Sequence, residues 1–239
     1  TTDASGNVTT TVSSGTIPTP VRVIAEATRN GSTISGLSDA LTISTGLPMQ
    51  KAMSLSSDKH NIEGGEHDGE VAKMTIRLAD QYGNPISDNT AVNFITEGGA
   101  VGSSAQGACT TVDGGCTVKL RSQNFRPLNG RVTVMAFVQG VEDFTDMDGD
   151  GQYSCTNFVD ATGARPAVYR PLVDTCLSGG EPFVDMGDPF LDAGEDGVYE
   201  AAKGDLPIPY NSTVYRAAGN GKWGINYIRK SAVIICSGS

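Results

Sequence analysis

Residues 71–99 read VAKMTIRLADQYGNPISDNTAVNFITEGG. Two runs within it, VAKMTIRLAD and TAVNFITEGG, show the period-two alternation and β-branched content of strands with one buried face. The residues between them, QYGNPISD, supply the glycine, proline and Asx side chains of a turn. Strand, turn, strand is thus the unit to extend in both directions. No helix signal of useful length interrupts it anywhere in the chain.

On the N-terminal side KAMSLSSD reads as a strand, followed by the polar loop KHNIEGGEHDGE. Further back lie NVTTTVSS, VRVIAEAT and DALTIST. On the C-terminal side come CTVKLRSQ and GRVTVMAFVQG, and the chain closes with STVYRAA and WGINYIRKSAVIICSGS. Many short strands at regular spacing predict an all-β protein built as a sandwich. The 239 residues suffice for one large or two ordinary domains. A formal charge of −10 argues against a nucleic-acid partner and suits hard cations. No apolar run reaches ~18 residues, so no membrane span is expected. The first residues, TTDASGNVTTTVSSG, are polar from the start and do not read as a signal peptide. Thr1 is not an initiator methionine, so a processed or excised chain is expected.

CTTVDGGC puts Cys109 and Cys116 on either side of an Asp-Gly-Gly turn. In a hairpin the facing Cβ atoms approach disulfide distance. A zinc site is the competing reading; the spacing is wrong for it and no histidine lies near. Cys155 and Cys176 bracket an acidic segment and form the second expected pair. Cys236 falls in the apolar run SAVIICSGS and reads as a buried free thiol. Paired cysteines indicate an oxidising compartment outside the cytosol.

LADQYGNPISDNTAVNFITEGGAV, CTTVDGGCTVKLRSQNFRPLNGRVTVMAFVQG and the closing SAVIICSGS together resemble the invasin/intimin-type bacterial Ig-like domain (group 1). The matching marks are the Asp80, Gly83, Asn84, Pro85 turn, the Asp113-Gly114 turn and the Gly130–Val134 strand. The resemblance runs from about Pro48 to Gly140 and resumes from about Ser212. It implies an Ig-like domain over 48–239, interrupted by an insertion at about 142–207. Residues 1–47 resemble the last three strands of a preceding domain of the same kind, near Val8–Ser13, Val21–Thr28 and Leu41–Thr45. GNVTTTVSSGTIPTPVRVIAEAT parallels GGCTVKLRSQNFRPLNGRVTVMAF, and DALTIST parallels SAVIICS. The expected architecture is therefore a tandem Ig-like sandwich whose first copy is incomplete. Upstream sequence or another chain would cover its open face.

The insertion carries DMDGDGQYS, Asp146–Ser154, and a related stretch, DAGEDGVYE, Asp192–Glu200. Both fit D-x-x-x-D-G-x-Y. Carboxylates on alternate residues repel one another unless a cation sits among them. A calcium loop takes side-chain oxygens from its first, third and fifth residues, turns at a glycine in the sixth and uses a backbone carbonyl at the seventh. Asp146, Asp148, Asp150, Gly151 and Gln152 fit that register. Position twelve is Asn157 rather than glutamate, so an EF-hand is incomplete. Phe-x-Asp recurs at Phe144/Asp146, Phe158/Asp160, Phe183/Asp185 and Phe190/Asp192, and Asp160 or Asp185 is expected to replace the missing ligand. Asp192, Asp196 and Glu200 form a second expected site, in which Gly194 removes one ligand. GEPFVDMGDPFLDAGEDGVYE also resembles repeats that accompany bacterial Ig-like surface proteins. The alternative for both stretches is a solvated, disordered acidic loop. Magnesium suits them less than calcium, since it keeps most of its waters.

Other constellations are weaker. His60 and His67, near Glu63, Glu66 and Asp68, read as a solvated loop rather than a transition-metal site. The carboxylates fall in cation loops rather than in a glycosidase pair. Ser, Cys and His form no nucleophile set. Trp223 reads as core, with a ligand platform as the alternative. NVT, NGS and NST match the glycan-acceptor pattern by chance in a bacterial chain. The expectation is a non-enzymatic, extracellular module on a bacterial cell surface, part of a fibre, filament or adhesin stalk, rigidified by calcium. Its expected partners are further copies of itself or neighbouring Ig-like domains. The alternative is a terminal adhesin module recognising a glycan or host receptor. A concave aromatic patch near the loops would favour that alternative.

Overall fold

The structure, a computed structural model, describes residues 3, 5–11, 19–38, 41–43, 46–102, 104–208 and 215–238. Among them there are seventeen strands and two short 3-10 turns, with no α-helix. In the N-terminal part, β1 (Thr19–Val21) pairs with β4 (Leu41–Ile43), and β2 (Ile24–Arg29) pairs with β3 (Ser32–Leu37). Asn30 and Gly31, at φ 50° and 78°, turn β2 into β3, as Asn-Gly does in two-residue hairpins.

The remainder is built on β5 (Met53–Ser57), β6 (Asn61–Ile62), β7 (Val71–Leu78), β8 (Ala91–Thr96), β9 (Ala100–Val101), β10 (Gln106–Thr110), β11 (Gly115–Arg121) and β12 (Arg131–Val141). It continues with β13 (Cys155–Val159), β14 (Thr175–Gly180), β15 (Phe190–Leu191), β16 (Leu206–Pro207) and β17 (Ile225–Cys236). One sheet has the order β5-β7-β11-β9, the other β10-β8-β12-β17-β6. The two face each other across one core. Strand β7 shows why: Ala72, Met74, Ile76 and Leu78 are buried, while the residues between them are not. They pack in the cluster that holds Val134, Ala136 and Val138 of β12 and Ile228 and Ile234 of β17. Each Val, Ile, Leu or Met among them contributes about 1.5–3 kcal/mol by leaving water.

The turn after β7 is closed by Asp80, whose Oδ1 accepts the amides of Tyr82 (3.0 Å) and Asn84 (2.9 Å). Gly83, at φ 81°, supplies the left-handed residue that this turn needs.

Cys109–Cys116 is a disulfide, but not across a hairpin ladder. Strand β10 pairs with β8 in one sheet, and β11 with β7 and β9 in the other. Asp113 and Gly114 do form the tight turn, closed by the Val112–Gly115 bridge. The chain then crosses between sheets, because both flanking strands already have other partners. The disulfide therefore staples the two layers.

Strands β12 and β17 pair antiparallel from Arg131↔Ile235 to Val141↔Ile225. Residues 142–224 leave from one end of this ladder and return to the same end. Within them β13 pairs with β14 and β15 with β16; these strands carry no clear period in the sequence. The segment covers the outer face of the second sheet, where Leu191 and Ile208 pack on Ile95 and Met135. A further cluster holds Met49, Val141, Phe144, Tyr153, Cys155 and Phe158.

Three expected strands fare differently. Asn7–Thr11 lies outside any strand, and Val12 and Ser13 lie outside the described residues. Leu41–Ile43 is β4, while Ser44 and Thr45 are outside the described residues. Of STVYRAA, Ser212–Val214 are outside them too, and Tyr215–Ala218 is not a strand.

Candidate cation site

Phe144 is buried and bridges to Phe183, and Thr145 N–H donates to the Pro182 carbonyl. This pairing brings the start of the DMDGDG loop beside Glu181. Asp146 then closes the loop on itself: Oδ1 accepts the Gly149 amide at 2.6 Å and Oδ2 the Gly151 amide at 2.8 Å. Both glycines are left-handed, at φ 77° and 76°. Asp148 Oδ1 accepts the Asp150 amide (3.2 Å), and its Oδ2 the Ser154 hydroxyl (3.0 Å). Asp150 Oδ1 accepts the Gln152 amide at 2.6 Å.

Glu181, only 8% exposed, clamps the loop from the other side. Its Oε1 accepts the Met147 amide at 2.5 Å and its Oε2 the Ser154 amide at 3.0 Å. Carboxylate oxygens of Asp146, Asp148 and Glu181 lie within 4.8 Å of one another. Among the described residues no basic side chain forms a salt bridge with any of the three. Desolvation pushes the Asp146 carboxyl up, but the amides of Gly151 and Gly149 outweigh it and hold it below the ordinary carboxylate value. The donor set is all oxygen, which matches a hard cation rather than a thiolate- or imidazole-seeking metal. This acidic triad could hold a metal ion.

The other expected ligands are placed elsewhere. Asp150 stands outside the converging triad, and its carboxylate is turned to Gln152. Asp160 Oδ1 accepts the amides of Thr162 (2.8 Å) and Ala164 (3.0 Å), closing a turn of its own. Asp185 accepts the amides of Asn220 (2.9 Å) and Gly221 (2.7 Å) and so fixes the approach to Trp223. Glu181, rather than Asp160 or Asp185, is the third carboxylate that converges with Asp146 and Asp148. It was legible only as the acid of GEPF, directly after two glycines and before a proline.

The second stretch repeats the first. Asp192 Oδ2 accepts the Gly197 amide at 2.7 Å, and Asp196 Oδ1 the Val198 amide at 2.9 Å. Buried Asp205 takes the part of Glu181, accepting the amides of Ala193 (2.9 Å) and Glu200 (2.7 Å). Here the Lys203 ammonium lies against Asp196 at 2.5 Å and also pairs with Glu200. A side-chain cation thus draws Asp196 and Glu200 together. Asp192 Oδ1 is buried without a hydrogen-bond partner among the described residues.

Cys155–Cys176 is the second disulfide, joining β13 to β14 below the loop, and Cys236 is a free thiol. Two disulfides fit a setting outside the cytoplasm. Among the described residues no helix is long and apolar enough to cross a membrane. No family model matches the chain, and no curated protein or solved structure matches it either.

Proposed function

We propose that the chain is a non-catalytic extracellular module of a bacterial surface fibre or adhesin stalk, with calcium stiffening its insertion. The observation that carries this reading is the way the three carboxylates are used. Besides one hydroxyl, their hydrogen bonds go to backbone amides of the loop they close. Such a site holds a loop in shape. The strand orders, with β6 running parallel to β17 at the sheet edge, support an Ig-like sandwich of the invasin/intimin kind over residues 48–239. Residues 1–47 are then the closing strands of an incomplete neighbour.

Calcium binds the folded loop and not the unfolded chain, so its binding energy becomes stability of the insertion. At an ion concentration 100 times Kd that is about 2.7 kcal/mol. Melting and limited proteolysis, with calcium and with chelator, test the reading. The expected result is rapid cleavage within residues 142–224 in chelator, with the sandwich intact. An unchanged melting temperature and cleavage pattern would overturn it.

A further inference from the structure

Beside the cation loop lies a cleft of about 430 Å³, within the range of small-ligand pockets. Four aromatic side chains, Tyr153, Tyr169, Phe183 and Trp223, line it. Tyr153 stacks on Trp223 with centroids 4.4 Å apart and planes 9° from parallel. Exposed aliphatic side chains form its rim: Val173 is 62% exposed and Leu177 58%. Isolated exposed aliphatics need no explanation, but several around one aromatic cleft mark a contact surface.

The polar groups of the cleft select the ligand. Asp174 is already neutralised by Arg170, and both Glu181 oxygens are held by amides. Lys222 is the one basic side chain among the lining residues. With Asp174 paired, Glu181 and Lys222 leave the wall one charge of each sign, so it has no net charge to offer a strongly charged ligand. Thr175 and Ser178 add hydroxyls to it. Tyr153 is 3% exposed and backs the cleft, while the half-buried rings of Tyr169, Phe183 and Trp223, bordered by hydroxyls and a carboxylate, match a pyranose, which has an apolar C–H face and a hydroxyl rim. We propose that this cleft is a carbohydrate subsite that takes a neutral pyranoside.

The site is coupled to the cation loop. Tyr153 sits at the end of that loop, and Glu181 belongs to both places. Ordering the loop around an ion fixes the Tyr153 ring against Trp223, so ion and sugar each strengthen binding of the other by the same factor. This coupling rests on the calcium reading; the cleft itself does not.

Trp223 is the single tryptophan of the chain, so its emission reports on the cleft directly. The test titrates the full chain with methyl glycosides of glucose, galactose, mannose and N-acetylglucosamine, in calcium and in chelator. Calorimetry and Trp223 emission are read together. Saturable binding of at least one glycoside is expected, weakened roughly tenfold in Tyr169→Ala, which loses one aromatic wall. Because Tyr169 also packs on Phe158, Leu177→Arg at the exposed rim is the second variant. It should fold normally and block the cleft. No saturable heat with any glycoside, from protein whose near-UV circular dichroism shows it folded, would overturn the proposal. So would binding unaffected by Leu177→Arg, or saturation by extended apolar peptides alone. Sugar binding that persists while melting is indifferent to calcium would uphold the cleft and overturn the calcium reading.

Discussion

One carboxylate geometry recurs at Asp3, Asp80 and Asp160. In each, Oδ1 accepts the amides two and four residues on, and the fourth residue's carbonyl accepts the aspartate amide. The glycine three residues on has φ of 82°, 81° or 84°. An aspartate in this frame uses Oδ1 to close its own turn, and none of the three belongs to a converging set of acids among the described residues. Asp146 instead reaches a glycine five residues on, with a second carboxylate beside it and a buried third, Glu181. Glu181→Gln keeps an acceptor but removes charge, so calcium affinity should fall roughly tenfold or more by calorimetry. Two acids should respond to pH with opposite signs. Asp146 has a depressed folded pKa, led by desolvation upward but dominated by the Gly151 and Gly149 amides. Its stabilisation is present above the unfolded value and is lost as pH falls, from about pH 4 downward. Proteolysis of the loop should accelerate over that range. Glu142, 1% exposed and with Oε2 unpartnered among the described residues, is raised by burial in spite of the Met186 amide. Its stabilisation is present at low pH and is lost as pH rises through the folded value. Glu142→Gln should therefore raise Tm near neutrality by about 2–4 °C and not in acid. A Tm gain independent of pH would contradict this.

Among the elements, β7 was legible because it has one wet and one dry face, so period and burial coincide; β8 alternates only as far as Phe94, after which Ile95 is buried under the insertion. Strand β12 shows where the period fails. RVTVMAFV does not alternate because the insertion buries Met135 from one side while the core buries Val134 and Ala136 from the other. Strand β3 was missed although Asn30-Gly31 announces its hairpin; all six of its residues are exposed, so no apolar period marks it. Strands β13 to β16 are held by the Cys155–Cys176 bond and aromatic packing rather than by a patterned face. The cysteine pairs could be read from spacing, but not which sheets they join, since that depends on partners far away in sequence. Cys155 and Cys176 are 21 residues apart, a loop for which chain entropy gives about 3 kcal/mol. Replacing both with serine should lower the unfolding free energy of the insertion, read by denaturant titration, by that much. Core amides of β7 should keep their hydrogen-exchange protection; loss of it would mean that insertion and sandwich unfold together.

At the scale of the molecule, the N-terminal strands remain the least satisfied part. Ile24, Ile34 and Leu37 are 60%, 73% and 61% exposed. Covering each would contribute about 1.5–3 kcal/mol. A neighbouring copy that adds strands there makes a head-to-tail contact, and such a contact builds an open filament. If this assembly forms, the full chain polymerises and residues 48–239 expressed alone give a folded monomer that does not, as seen by electron microscopy and sedimentation. Fibres of unchanged form from the truncated chain would rule this assembly out.

The β12–β17 ladder has a mechanical consequence. Met49 bridges to Val141 at one end of it, and Ile235 and Cys236 lie at the other. Tension applied to the chain on either side of the sandwich pulls along β17 and loads its hydrogen bonds with β12 in shear. Bonds loaded this way share the force and yield together rather than one at a time. Residues 142–224 hang from the unpulled end of β17 and bear no tension while the ladder holds. When it parts, they become slack that pays out as extra contour length. The Cys155–Cys176 bond withholds its own loop from that length, so replacing that pair alone with serine should lengthen the extension step without changing the force at which it begins.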